Sequence, residues 1–119
     1  MTVLRIVPNI ATSKVAELRL FYETLFGLKA AMDHGWIVTL ASGEKALTQI
    51  GLASEGRSGT AVPDMSIEVD DVDDVRQRAR SLGCDIVYEL TDEPWGVRRF
   101  FLKDPAGTLV NVLSHREQT

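Results

Sequence analysis

Apolar positions recur along the chain with two different periods, and the change from one to the other marks the elements. Residues 3–11, VLRIVPNIA, read as a strand. Val15, Leu18, Phe21, Tyr22, Leu25 and Phe26 then recur at helical spacing. Thr12 or Ser13 can cap that helix, because a hydroxyl accepts a hydrogen bond from an orphan N–H. Gly27 ends it, where the chain needs a left-handed residue. Three short strands are expected at 28–33, 36–41 and 45–51, with turns at His34-Gly35 and Ser42-Gly43.

The stretch ASEGRSGTAVP, residues 53–63, is rich in Gly and Ser and reads as a linker. Beyond it the plan repeats. Asp64 to Val69 is a strand, and Asp70 or Asp71 caps a helix carrying Val72, Val75, Ala79 and Leu82. Gly83 ends the helix, and strands are expected at 84–90, 97–102 and 108–113. Leu82-Gly83-Cys84 echoes Phe26-Gly27-Leu28. Each half is thus a strand, a helix and three strands. One repeat, about 55–62 residues long, points to duplication within a single domain rather than to a solenoid. The expectation is one α+β domain over residues 1–119, with modules at 1–52 and 62–115.

Period two sorts the strand faces. Met65, Ile67 and Val69 share the side that packs on a helix, leaving Asp64, Ser66 and Glu68 on the other. Val110 and Val112 likewise oppose Leu109, Asn111 and Leu113. A sheet with helices on one side keeps its other, mixed face available for a ligand.

Composition narrows the partners. The 119 residues are 45% apolar and 25% charged, as in an ordinary globular domain. The net charge of −4 argues against nucleic acid, which needs a basic face, and is compatible with a cationic small molecule. Cys84 is alone, so no intramolecular disulfide forms. The start of the chain lacks a basic, then apolar, leader, and no stretch reaches membrane-span length. A cytoplasmic protein with no membrane partner is expected.

Several residues invite a chemical role. The acids of VDDVDDV, residues 69–75, oppose the positive end of a helix dipole and read as structural. His34 and His115 match no local metal motif and read as surface residues. Arg98 and Arg99 point oppositely in a strand, so at most one faces the ligand side. Trp36 and Trp95 follow turns at comparable points of the two halves and suit a pocket wall. Asp104-Pro105-Ala106-Gly107 has the residues of a type I turn. No nucleophile–base pairing and no phosphate loop is legible, so no catalytic residue is assigned.

Three stretches, LFYETLFGL (20–28), SIEVDDVDDV (66–75) and EPWGVRRFFLKDPAGTLVNVLSH (93–115), together with the duplicated plan, resemble the vicinal oxygen chelate superfamily. That superfamily includes glyoxalases, extradiol dioxygenases and bleomycin-resistance proteins. The last stretch looks most like the bleomycin-resistance branch. The resemblance implies two βαβββ modules forming a cup-shaped mixed sheet with helices on its outer face. It also implies a homodimer. Pro8 resembles the proline at which the first strand of that branch crosses to the partner subunit, placing pockets at the dimer interface.

Metal-dependent members carry their ligands at positions that fall here on Val7, Gln49, Asp64 and Asn111. Val7 has no lone pair, Gln49 and Asn111 are neutral amides, and Asp64 is the sole carboxylate. A catalytic divalent ion wants three or four His or carboxylate donors. The expectation is therefore a binding protein without metal or other cofactor. It would sequester a drug-like, hydrophobic or cationic ligand, as antibiotic-resistance proteins do, through Trp95, Trp36, Asp64, Glu68, Gln49, Arg99 and Asn111. The alternative is a metal-dependent lyase, isomerase or dioxygenase of the same superfamily.

Overall fold

A computed structural model describes residues 1–42 and 48–116. Gly43 of the Ser42-Gly43 turn and residues 45–47 of the third expected strand lie outside the described residues. The architecture is α+β. In chain order the elements are β1 (Val3–Ala11), α1 (Val15–Phe26), β2 (Lys29–Asp33), β3 (Ile37–Ala41) and β4 (Gln49–Ala53), then β5 (Met65–Val69), α2 (Val72–Ser81), β6 (Asp85–Asp92), β7 (Val97–Lys103) and β8 (Leu109–His115). The eight strands form a mixed sheet. Contacts divide the chain into two compact units: an N-terminal unit, Val7–Val62, and a C-terminal unit of Met1–Ile6 with Pro63–Thr119. β1 contributes to both, changing unit between Ile6 and Val7, just before Pro8.

In the N-terminal unit the strand order is β2-β3-β4-β1. β1 and β4 run parallel, while β2–β3 and β3–β4 are antiparallel. The core is Val38, Leu40 and Leu52, with Ile10, Val15, Leu18, Tyr22, Leu28 and Ile50 packed around it. Only part of the apolar set of α1 reaches that core. Phe21, Leu25 and Phe26 are 52%, 60% and 62% exposed, and Leu20 beside them 66%. A helix lying on a sheet covers an apolar arc of roughly 100°, and the apolar residues of α1 spread over a wider arc than that. Neither Thr12 nor Ser13 caps the helix. Lys14 takes the N-cap position without a side-chain cap, and Thr12 Oγ1 instead accepts from the Lys14 N–H at 2.9 Å. Gly27 is left-handed (φ 69°) as expected.

The stretch read as a linker is a built turn. Arg57 and Ser58 hold positive φ values of 63° and 52°, followed by Gly59 at 75°. Thr60 donates twice to the Arg57 carbonyl, from its N–H at 2.9 Å and its hydroxyl at 2.8 Å.

In the C-terminal unit the order is β1-β5-β8-β7-β6. β5 and β8 are parallel; β7 pairs antiparallel with both β8 and β6. Val69, Val72, Ala79, Phe100, Val110 and Val112 form the core between sheet and α2, joined by Met65, Ile67, Val75, Ile86, Leu90 and Leu102. The expected alternation in β5 and β8 therefore holds. Asp71 is the cap of α2: its Oδ1 accepts from the Asp74 N–H at 3.2 Å. Leu82, counted with the helix's apolar positions, lies past its last turn and is 81% exposed. Asp104 closes the β7–β8 turn, its Oδ1 accepting from the N–H groups of Ala106 and Thr108 at 2.9 Å each.

Candidate functional site

Cross-ladder partners share a face of a sheet, so the register of the C-terminal unit defines what faces away from α2. One row runs Ser66, Asn111, Phe101, Tyr88. The next runs Glu68, Leu113, Arg99, Thr91. His115, opposite Val97, extends the same face of β8 by one more step. The shift between Ile86 and Tyr88 makes this possible, because it turns Tyr88 to the side opposite Ile86.

In the first row Asn111 is 8% exposed. Its Nδ2 donates to Ser66 Oγ at 3.1 Å. Its Oδ1 is buried and has no hydrogen-bond partner among the described residues. In the second row Glu68 is held at both oxygens. Arg5 Nε donates to Oε1 at 2.6 Å, and His115 Nδ1 lies 2.5 Å from Oε2. Burial works to raise the Glu68 pKa, but the hydrogen bond and charge of His115, with those of Arg5, outweigh it and hold the carboxyl below its ordinary value.

Arg99 is buried, and its Nε donates to Glu93 Oε2 at 2.6 Å. The same oxygen accepts from the Tyr88 hydroxyl at 3.0 Å. The guanidinium carbon lies 4.7 Å from the Phe101 ring, 4.8 Å from Trp95 and 5.3 Å from Tyr88. A desolvated cation is thus enclosed by three aromatic faces and one carboxylate, each of which lowers the cost of burying it.

Of the residues singled out in the sequence, Glu68, Arg99 and Asn111 lie on this face, and Trp95 meets it through Arg99. Asp64 is exposed just before β5, where its Oδ2 accepts from the Leu109 N–H at 2.9 Å and its own N–H donates to the Leu109 carbonyl. It fastens the ladder end. Trp36 and Gln49 belong to the N-terminal unit. Trp36 is half-buried there, with Arg57 5.1 Å over its ring and His34 stacked at 6.5 Å. Gln49 opens β4 opposite Ala41. Arg5, Glu93 and His115 were not singled out as site residues. Period two from Asn111 through Leu113 reaches His115, so its face was legible; its pairing with Glu68, 47 residues away, was not.

The four positions where the resemblance implies metal ligands offer few metal donors. Val7 is buried without a lone pair, Asp64 is engaged by Leu109, and the other two are amides. Among the described residues no group of three or more His, Cys, Asp or Glu gathers. The donor set does not fit a catalytic divalent ion.

The family model described as Glyoxalase/Bleomycin resistance protein/Dioxygenase superfamily matches residues 3–112. No curated protein sequence matches the chain. Among solved structures, similarity extends to a Streptomyces coelicolor methylmalonyl-CoA epimerase in complex with 2-nitronate-propionyl-CoA. It has 18% identity and a TM-score of 0.71, over 98% of this chain and 100% of that one. A glyoxalase/bleomycin resistance protein/dioxygenase superfamily member from Vibrio splendidus is 16% identical, with a TM-score of 0.66 over 95% and 99%. A Legionella pneumophila structure described as NAD-dependent benzaldehyde dehydrogenase is 15% identical, with a TM-score of 0.76 over 93% and 99%. At these identities the likeness is one of fold.

Proposed function

The chain belongs to the glyoxalase/bleomycin resistance protein/dioxygenase superfamily, and from that premise we propose that it is a small-molecule binding protein. In this reading it sequesters its ligand on the β5–β8–β7 face of the C-terminal unit and makes or breaks no bond. The observation that carries the reading is the polar row set into that face. Ser66, Glu68, Asn111 and His115 supply hydrogen-bonding groups beside Leu109, Leu113 and Phe101, the mixture that small-molecule sites use. The mismatch between the donor set and a divalent ion supports binding over metal-dependent lyase, isomerase or dioxygenase chemistry. Resistance to a drug by sequestration is the biological role this reading implies.

A thermal-shift screen of a small-molecule library tests it, since a ligand that binds only the folded state raises the melting temperature. A hit whose contacts map by NMR to β5 and β8 is expected. Hits confined to other surfaces would contradict the reading. Near-equimolar Zn, Ni, Fe or Mn retained through dialysis would contradict its metal-free form.

One observation favours a second reading. A carboxylate hydrogen-bonded to an imidazole, as Glu68 is to His115, can orient the ring for proton transfer. Methylmalonyl-CoA epimerase has this fold. Deuterium incorporation into methylmalonyl-CoA in heavy water, lost in His115→Gln, would establish an isomerase; no incorporation leaves the binding protein.

A further inference from the structure

We infer that the Asn111 row of this face recognises an uncharged ligand through an N–H or O–H donor, and that the face disfavours cations. The inference rests on the ligand face proposed above and names the class of molecule it takes. Its first support is Asn111 Oδ1. The side chain is nine-tenths buried, its amide nitrogen is committed to Ser66, and its oxygen has no partner among the described residues. A buried acceptor without a donor is a standing cost that a matching donor relieves. Phe101 and Ser66 flank Asn111 across the ladders, and Leu109 and Leu113 flank it along β8. A donor carried on a flat or apolar body would suit these neighbours.

The second support is electrostatic and independent of the first. Acidic side chains would ordinarily attract a cation, but two of those bordering this face, Glu68 and Glu93, are already matched. Glu68 is held by Arg5 and His115, and Glu93 by Arg99 and Tyr88. The ring faces that could receive a cation, those of Tyr88, Trp95 and Phe101, already meet the Arg99 guanidinium. An arriving cation would draw no net attraction from these two neutralised pairs. A neutral donor needs no counter-charge and still gains the Asn111 oxygen. The discrimination follows a known asymmetry: a site with a buried polar group rejects the analogue that lacks its partner.

Three probes of nearly equal shape separate the cases. Benzamide carries the donor, acetophenone replaces its NH₂ with a methyl group, and benzamidinium keeps the donor but adds a charge. Each is titrated into the full ¹⁵N-labelled chain. Benzamide is expected to move the Asn111 side-chain amide signals and backbone signals of β5 and β8. It should bind about tenfold more tightly than acetophenone, with benzamidinium weaker than benzamide. Asn111→Leu keeps the volume without the amide and should bring benzamide down to acetophenone. The ratio in the unaltered protein decides the matter even where that variant fails to fold. Equal binding of benzamide and acetophenone on β5 and β8 overturns the donor preference while leaving the ligand face in place. Tightest binding by benzamidinium overturns it too, as does a preference that survives in Asn111→Leu. If none of the probes shifts those signals the inference falls, and the library screen alone decides whether the face binds ligands at all.

Discussion

Arg98 and Arg99 are neighbours in β7 that live under different physics. Arg98 points toward α2 and pairs with Asp73 and Asp92 while staying solvated, so its ion pairs are screened. Arg99 and Glu93 are 3% and 4% exposed, and neither charge can return to water when the other is removed. Glu93→Leu should therefore lower the unfolding free energy by about 3–5 kcal/mol. Asp73→Asn should lower it by less than about 1 kcal/mol. Urea titrations of the two variants decide this, and similar losses in both would contradict it. Alternation alone separated the two arginines, but which one is buried depends on the phase of β7 against α2, a tertiary fact. Glu68 adds a pH dependence. Its folded pKa is depressed, so between the folded and unfolded values the folded state binds fewer protons. The stability it contributes is complete above the unfolded carboxyl value, roughly 4.3, and disappears as pH falls through the lower folded value. Melting temperatures between pH 7 and pH 2 should thus fall less steeply in Glu68→Gln than in the parent. Parallel curves would show that the Arg5 and His115 contacts carry no such linkage.

At the scale of elements, the ends were more legible than the faces. Gly27 and Gly83 stop their helices because each adopts a positive φ, 69° and 71°, that few other residues tolerate. The Asp104 turn was equally readable, its chemistry lying within four residues. The faces of α1 were not, because periodicity counts apolar residues without saying how much of the arc a sheet will cover. The register shift that turns Tyr88 onto the candidate face has no local signature either. Residues 53–63 mislead in another way. Gly and Ser suggest slack chain, yet Gly56 is buried, and a Cβ added there would lie 2.1 Å from the Ala61 carbonyl oxygen. That obstacle is backbone, which cannot swing aside as a side chain can. Gly56→Ala should cost about 1–3 kcal/mol, whereas Gly35→Ala meets no atom and carries only the strain of φ +83°. Chemical denaturation of both variants checks the ranking. A neutral Gly56→Ala would return the segment to the status of a linker.

For the whole molecule, the exposed side of α1 is the feature that a monomer explains least. Leu20, Phe21, Leu25 and Phe26 are each more than half exposed, and only Glu17 and Thr24 interrupt the patch that holds the first three. A helix normally turns polar residues to water, and contiguous apolar surface of this kind marks an interaction site. We propose that a second copy of the chain covers it, in the homodimer that the sequence resemblance implies. Twofold symmetry is the commonest closed arrangement, and it lets one self-complementary patch serve both subunits. Pro8 is the place to look for a crossing of the first strand between copies, since β1 passes from one unit to the other just before it. Light scattering at micromolar concentration should return twice the chain mass of 13.1 kDa. Phe21→Glu combined with Leu25→Glu should return a single chain mass with circular dichroism unchanged, because neither side chain belongs to the Val38, Leu40, Leu52 core. Leu18→Glu, which buries a charge against that core, should instead unfold the unit. A monomeric parent would sink the dimer. A double variant that unfolds as Leu18→Glu does would reassign the patch from interface to core.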